Sequence, residues 1–451
     1  MKLFILFMAI LVVGCNKRPL EKSDDINRMK VTYFGALNVQ KTSVELHWGC
    51  SSETVGYLMY GKTGTENIQY LWLPSKQHFY NVTGLTLGNT YKAIAFCGSL
   101  DLSTSTYLQT FYTSAGISDE IKSRGIWILG GLGYSNTAIS QVDLYDPVDD
   151  TWYTNVTSIP TARSYAGIAS YNKKIYVFGG LVSTNPSNIV EQFDPYTETW
   201  TTMENMPTSL QGVYATGGDD AVYLMGGSVT NTVTASLPNV IYRFIPENGT
   251  SGQWDALTTS VSIPARTDFA GCSTGGTVYF NSGRANDGIA QLVSDAYIPS
   301  GNTISSTNEA SFSVAAFGAA SACYRTRPLG PYTQDNPAMF VLGGSTLDNT
   351  DQPPTAILAS NRFEYYLTPS DTGTNVVSVG PNLPNSLYYP AAEISYEKRK
   401  IYVFGGANVV NVPTSKVYSL DLADPSQGTW TTESKDMPVA RFGHKAVIIN
   451  R

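Results

Sequence analysis

The sequence predicts an all-β chain in two parts, a small sandwich followed by a larger ring of repeated sheets. Three observations predict it. Apolar and polar residues alternate in short runs, the period of half-buried strands. The 40 Gly and 23 Pro separate those runs as turns. A strand ending in paired glycines then recurs from residue 126 onward. With 451 residues, 42% hydrophobic and 14% charged, the chain is long enough for more than one domain and too apolar to be disordered. Asp and Glu outnumber Lys and Arg by 36 to 29 and the cations are scattered, which excludes the basic footprint of a nucleic-acid binder.

Residues 1–14 read as a signal peptide: Lys2, an apolar run from Leu3 to Val13, and small Gly14 before Cys15. The run falls short of the roughly 20 residues a membrane-spanning helix needs, so export is expected. Val12-Val13-Gly14-Cys15 resembles a bacterial lipobox. The resemblance implies lipidation of Cys15, and Asn16 after it implies the outer membrane or cell surface rather than retention at the inner membrane. Residues 15–29 are polar and without periodicity, a tether.

Four cysteines remain, and disulfides persist in an exported chain. Cys50 and Cys97 fall in one expected domain, residues 30–114, and are expected to pair. Cys272 and Cys323 lie in neighbouring repeats, which leaves both a disulfide and two buried thiols open. Within 30–114, alternation marks strands at 43–48, 55–60 and 91–96, and GLTLGNTY at 84–91 has the form of a tyrosine corner. This segment resembles a fibronectin type III domain. The resemblance makes Trp48 the buried tryptophan and Tyr91 the corner tyrosine, and brings Cys50 and Cys97 to one end. His47 and His78 have no partners at ligand spacing and read as strand residues.

A linker at 115–123 leads to the repeats, expected to fill 124–451. IWILGG at 126–131 is followed by IYVFGG at 175–180, VYLMGG at 222–227, the degenerate VYFNSG at 278–283, MFVLGG at 339–344 and IYVFGG at 401–406. Successive first glycines, counting Ser282 in the degenerate copy, are 49, 47, 56, 61 and 62 residues apart. Asp146-Pro147 precedes Trp152, Asp194-Pro195 precedes Trp200, and Asp424-Pro425 precedes Trp430, each with the same offset. Met-Pro or Ile-Pro and an Arg follow, at Arg163, Arg266 and Arg441. This arrangement resembles the kelch repeat and implies a propeller. Six glycine strands and six innermost strands, beginning near Ser164, Leu210, Thr267, Ala315, Tyr388 and Phe442, imply six blades. The strand at 442–449 is expected to complete the first blade and close the ring. The glycines, prolines and tryptophans carry packing roles.

Arg163, Arg266, Arg284 and Arg441, with His444, Asp268 and Glu393, stand at ends of innermost strands or just past a glycine strand. They are the candidate binding residues of the funnel. Resemblance to copper-radical galactose oxidases fails on ligands: that copper needs two His and two Tyr, and the repeats hold only His444. Six-bladed kelch proteins that interconvert sialic acid anomers are similar in blade number and compartment. They imply an alternative sugar-active reading with an Arg for the sugar carboxylate and a carboxylate acid/base. The spacing names no catalytic pair, metal site or cofactor. The expected function is a binding module for a protein or glycan, a monomer held to the membrane by its lipid. Segments 284–308, 323–337 and 345–361 cause the wider spacings, and long loops on a rigid scaffold commonly bind.

Overall fold

The computed structural model describes residues 30–37, 43–62, 67–86, 90–100, 109–112, 117–231, 240–257, 265–274, 276–285, 287–305, 312–313, 315–324, 338–346, 358–367, 376–408 and 411–449. The signal peptide, Cys15, the tether and the Ile263-Pro264 motif lie outside these residues, as do 325–337 and 347–357. The chain divides into two compact units, the second running from Phe111 onward.

The first unit holds a five-stranded antiparallel sheet. The strand Ser43–Gly61 is its spine: Val31–Leu37 pairs with the first half, Thr90–Cys97 with the second, and Asn67–Thr83 along it. The two strands expected at 43–48 and 55–60 are therefore one. Residues 50–54, Cys-Ser-Ser-Glu-Thr, contain no Gly or Pro to reverse the chain. Val44, Leu46, Trp48 and Cys50 are buried in alternation. Trp48 stacks on His78 at 5.2 Å. Cys50 and Cys97 form a disulfide with Cα atoms 5.8 Å apart.

The second unit opens with a helix inside the expected linker, Asp119–Arg124. Ser118 caps it by accepting from the Ile121 N–H, with Asp119 and Glu120 at the positive end and Arg124 at the negative end. Among the described residues this unit then holds six four-stranded antiparallel sheets. Sheet 1 combines Lys445–Val447, Ile126–Leu129, Gln141–Asp146 and Thr151–Ser158, so the last strand of the chain pairs with the first of the unit. The innermost strands of sheets 2 to 6 are Gly167–Tyr171, Tyr214–Gly217, Ala270–Thr274, Ala320–Tyr324 and Ala391–Ser395. These six innermost strands neighbour one another in cyclic order.

The apolar core lies in the seams between sheets. Ile128 and Tyr145 of sheet 1, for example, pack with Tyr402, Phe404 and Val417 of sheet 6. The recurring tryptophans span these seams. Trp200 donates to Thr157 of sheet 1 at 2.9 Å, and Trp430 donates to the Pro381 carbonyl beyond sheet 5 at 2.7 Å. The paired glycines let sheets meet: a Cβ at Gly180, φ +91, would stand 2.6 Å from the Ser164 carbonyl oxygen.

Candidate functional site

Two residues past each Arg-type position the backbone turns left-handed, at Tyr165, Gly212, Asp268, Gly318, Tyr389 and Gly443. Their peptide groups form a closed cycle. Tyr165 N–H donates to Gly443 C=O, Gly212 to Tyr165, Asp268 to Gly212, Gly318 to Asp268, Tyr389 to Gly318, and Gly443 back to Tyr389, at 2.7 to 3.2 Å. Six sheets in this order are tied at the start of their innermost strands.

Glycine and larger residues alternate around the cycle, and the packing explains why. Tyr165 lies over Gly443, Asp268 over Gly212 and Tyr389 over Gly318, each within 3 Å of where a Cβ on that glycine would stand. The Tyr165 and Tyr389 rings meet edge to face at 4.9 Å, and Phe317, Tyr388 and Phe442 pack around them. Tyr165 and Tyr389 are both buried, so aromatic side chains close this end of the central channel. Burial holds the Tyr165 hydroxyl pKa well above the ordinary tyrosine value.

Arg284 and Asp268, both funnel candidates from the sequence, pair with each other beside the cycle. Arg284 Nε donates to Asp268 Oδ2 at 2.9 Å, its NH2 stands 2.8 Å from the same oxygen, and its guanidinium stacks on Phe317 at 4.7 Å. Among the described residues the buried Asp268 Oδ1 has no hydrogen-bond partner. Behind this plug the channel continues between the innermost strands, about 620 Å³ counting the part open to solvent. Tyr214, Thr216, Glu393 and Lys445 line it. Burial lowers the Lys445 ammonium pKa, and the charge of Asp268 opposes that shift. Glu393 accepts from the Ile394 and Ile448 amides, bridging sheets 6 and 1.

The other three arginines correct the sequence expectation. Each turns its guanidinium into its own sheet, onto a carboxylate of the third strand. Arg163 pairs with Glu191 at 2.5 Å and also donates to the Ile189 carbonyl, Arg266 pairs with Asp295, and Arg441 pairs with Asp143. Burial lowers the Arg163 pKa to about 10 against the pull of Glu191, so it stays charged at neutral pH. Arg362 and Glu364 repeat the pairing in sheet 5 at 3.1 Å. These side chains are fully or nearly fully buried and committed within the scaffold, because a guanidinium buried without a carboxylate would be far more costly. His444 is buried as well, its ring against Gly405 in the seam between sheets 1 and 6. Burial, with Arg441 and Lys445 nearby, holds its pKa well below the ordinary value, as a neutral imidazole. Cys272 and Cys323 form a disulfide joining the innermost strands of sheets 4 and 5. Among the described residues no group of three His, Cys, Asp or Glu is placed to hold a metal.

The sequence reading named Asp268 and Arg284 as candidates but not Tyr165, Tyr389 and Lys445, which the structure places beside them. Their signal was present as a column: aligned on the residues after each Arg position, the six repeats read Tyr, Gly, Asp, Gly, Tyr, Gly.

Comparison with known proteins agrees with this geometry. A kelch motif matches residues 162–207. The chain is 30% identical over 176 residues to the Kelch-like protein terF of Aspergillus terreus, covering 37% of this chain and 36% of that protein. It is 35% identical over 89 residues to the F-box/kelch-repeat protein At1g22040 of Arabidopsis thaliana, 19% of this chain and 18% of that one. Beta-scruin of Limulus polyphemus is 33% identical over 94 residues, 20% and 10% of the two chains. The chain therefore spans well under half the length of these relatives. A solved structure titled "Structure of YjhT" superposes with a TM-score of 0.53 at 15% identity, over 69% of this chain and 95% of that one, a likeness of fold. The chain thus carries a kelch motif at residues 162–207 within an all-β architecture.

Proposed function

We propose that the six sheets are the blades of one six-bladed kelch propeller, residues 124–451, preceded by a fibronectin type III-like domain at 30–114. On this reading the protein is exported, held to the outer membrane or cell surface through lipid on Cys15, and uses the propeller to bind a protein or carbohydrate partner. The observation that carries the binding role is the commitment of Arg163, Arg266 and Arg441 to carboxylates of their own sheets beneath a plugged channel mouth. Recognition then falls to the connecting loops of a rigid ring. The test presents the full chain to an array of glycans that includes sialylated and galactosylated members. Saturable binding that survives Asp268→Asn but is lost on loop substitution supports the loop-borne role. Binding that disappears with Asp268→Asn places the ligand in the channel instead. Cys15→Ser should release the chain from the membrane fraction, and retention there would refute the lipid anchor.

One observation favours the sugar-active alternative. Asp268 Oδ1 is unpartnered, and Lys445 lines the channel that Asp268 also lines. A carboxylate and an ammonium so placed could move a proton at a small sugar. Anomer exchange measured by NMR, abolished by Asp268→Asn in a folded protein, is the result this alternative requires.

A further inference from the structure

Behind the aromatic plug the channel widens into a chamber set by one position of the repeat. Each innermost strand begins two residues beyond the cycle, at Gly167, Tyr214, Ala270, Ala320, Ala391 and Lys445. Four of these six have no side chain beyond Cβ. Tyr214 lies over Gly271 and against Phe269, with ring centroids 5.6 Å apart. Lys445 supplies the ammonium of this level. The space left is about 420 Å³, counting the part open to solvent, and both Lys445 and Asp268 line it.

The charged side chains of the channel differ in how they are satisfied. Asp268 Oδ2 holds Arg284, and Glu393 accepts from the Ile394 and Ile448 amides. The Lys445 ammonium, among the described residues, has neither an ion pair nor a hydrogen bond. Lys445 is nevertheless partly exposed, so solvent in the channel reaches it. The second oxygen of Asp268, Oδ1, is also without a partner, and that residue is only 6% exposed. Lys445 and Asp268 thus share a chamber without forming an ion pair with each other. An enclosed charge with no partner is costly, and a pocket in which unpartnered polar groups converge is completed by a ligand.

We infer that this chamber binds a small oxyanion that also carries a hydroxyl, either a hydroxycarboxylate or hydrogen phosphate, with Lys445 on its oxygens and Asp268 Oδ1 accepting from its hydroxyl. Charge balance selects this class. The Asp268 carboxylate is already compensated by Arg284, so its free oxygen calls for a neutral donor. The Lys445 ammonium is not compensated, so its partner is an anion. A cation would meet that ammonium as a like charge, and an apolar ligand would leave both groups unsatisfied. The inference shares Lys445 with the sugar-active alternative but requires neither turnover nor loop-borne binding. A blank glycan array therefore leaves it standing, and its own failure leaves the array result standing.

The test titrates glycolate, and separately acetate, into the full chain in a non-ionic detergent, followed by saturation-transfer NMR of the small anion. Saturable binding of glycolate is expected, about threefold or more tighter than acetate, because acetate offers no donor to Asp268. Inorganic phosphate added as competitor assigns the headgroup: displacement stronger than by unlabelled glycolate assigns phosphate, and weaker displacement assigns carboxylate. Lys445→Met and Lys445→Gln should each weaken glycolate binding by about tenfold or more. Lys76→Met, at an exposed lysine of the first unit, should leave it unchanged. Without ligand, Lys445→Met should melt no lower than the unaltered chain, because it removes a charge that has no partner within the protein. Glycolate that binds no better than acetate, binding indifferent to both Lys445 substitutions, or a lowered melting temperature for Lys445→Met overturns the inference.

Discussion

Gly318 has φ +61, and a Cβ added there would stand 2.9 Å from Cε2 and 3.0 Å from Cδ2 and Cζ of Tyr389. Gly318→Ala therefore meets two costs. The left-handed backbone costs a residue with a Cβ roughly 1–2 kcal/mol. The Tyr389 ring cannot retreat, because Tyr165 and Tyr388 each stand 4.9 Å from it and Phe317 6.4 Å, so overpacking adds roughly 1–3 kcal/mol. The lower entropy of the unfolded alanine chain returns roughly 0.4–1 kcal/mol. A net loss of about 2 to 4 kcal/mol is expected. Gly249→Ala separates the terms, since Gly249 has φ +71 but nothing within 4 Å, and should lose only about 1 kcal/mol. Urea denaturation at neutral pH, read at the transition of the second unit with unchanged slope, measures both. Combining Gly318→Ala with Tyr389→Ala should give a smaller loss than the sum of the two singles, because the second substitution removes the overlap. Equal losses at Gly318 and Gly249, or strict additivity with Tyr389→Ala, would refute the account of the alternating cycle.

The buried pairs make a contrasting prediction: Asp143→Ala strands Arg441 in the interior and should cost about 3–5 kcal/mol, whereas replacing both by apolar residues of similar volume should recover most of it, as urea midpoints will show. His444 has its folded pKa depressed below the unfolded value near 6.5, so the unfolded chain takes up the proton first. Its contribution is complete above that value and falls by about 1.4 kcal/mol per pH unit below it until the folded pKa is reached; His444→Asn should flatten that part of the stability profile between about pH 6.5 and 5. Reducing the Cys272–Cys323 bond, which closes a loop of sequence separation 51, should remove about 4 kcal/mol, seen as a lower melting temperature for the paired Cys→Ser variant.

Much of the ring was legible in the chain because its signals are local. Paired glycines ending an apolar strand, Asp-Pro before a tryptophan, and an Arg before the innermost strand each need only a few neighbouring residues to be recognised, and repetition multiplies the evidence. The single strand Ser43–Gly61 shows the limit of local signals: alternation on either side of residues 50–54 read as two strands, when the absence of a turn former kept the chain extended. The helix Asp119–Arg124 also passed as linker, although its serine cap and charge order were present.

What the sequence by itself determined is the all-β architecture, its repeats and the residues that fill the seams, because periodicity and turn chemistry are properties of short segments. Only the tertiary structure decided which arginines are available. Arg163 and Glu191 are 28 residues apart in sequence, and Arg441 and Asp143 are 298 apart. Their pairing depends on strands brought together by sheet formation and, for Arg441, by closure of the ring. The same holds for the Cys272–Cys323 bond and the Tyr-Gly-Asp-Gly-Tyr-Gly cycle. Each is a relation between sheets, set by distances that exist only after the last strand has paired with the first.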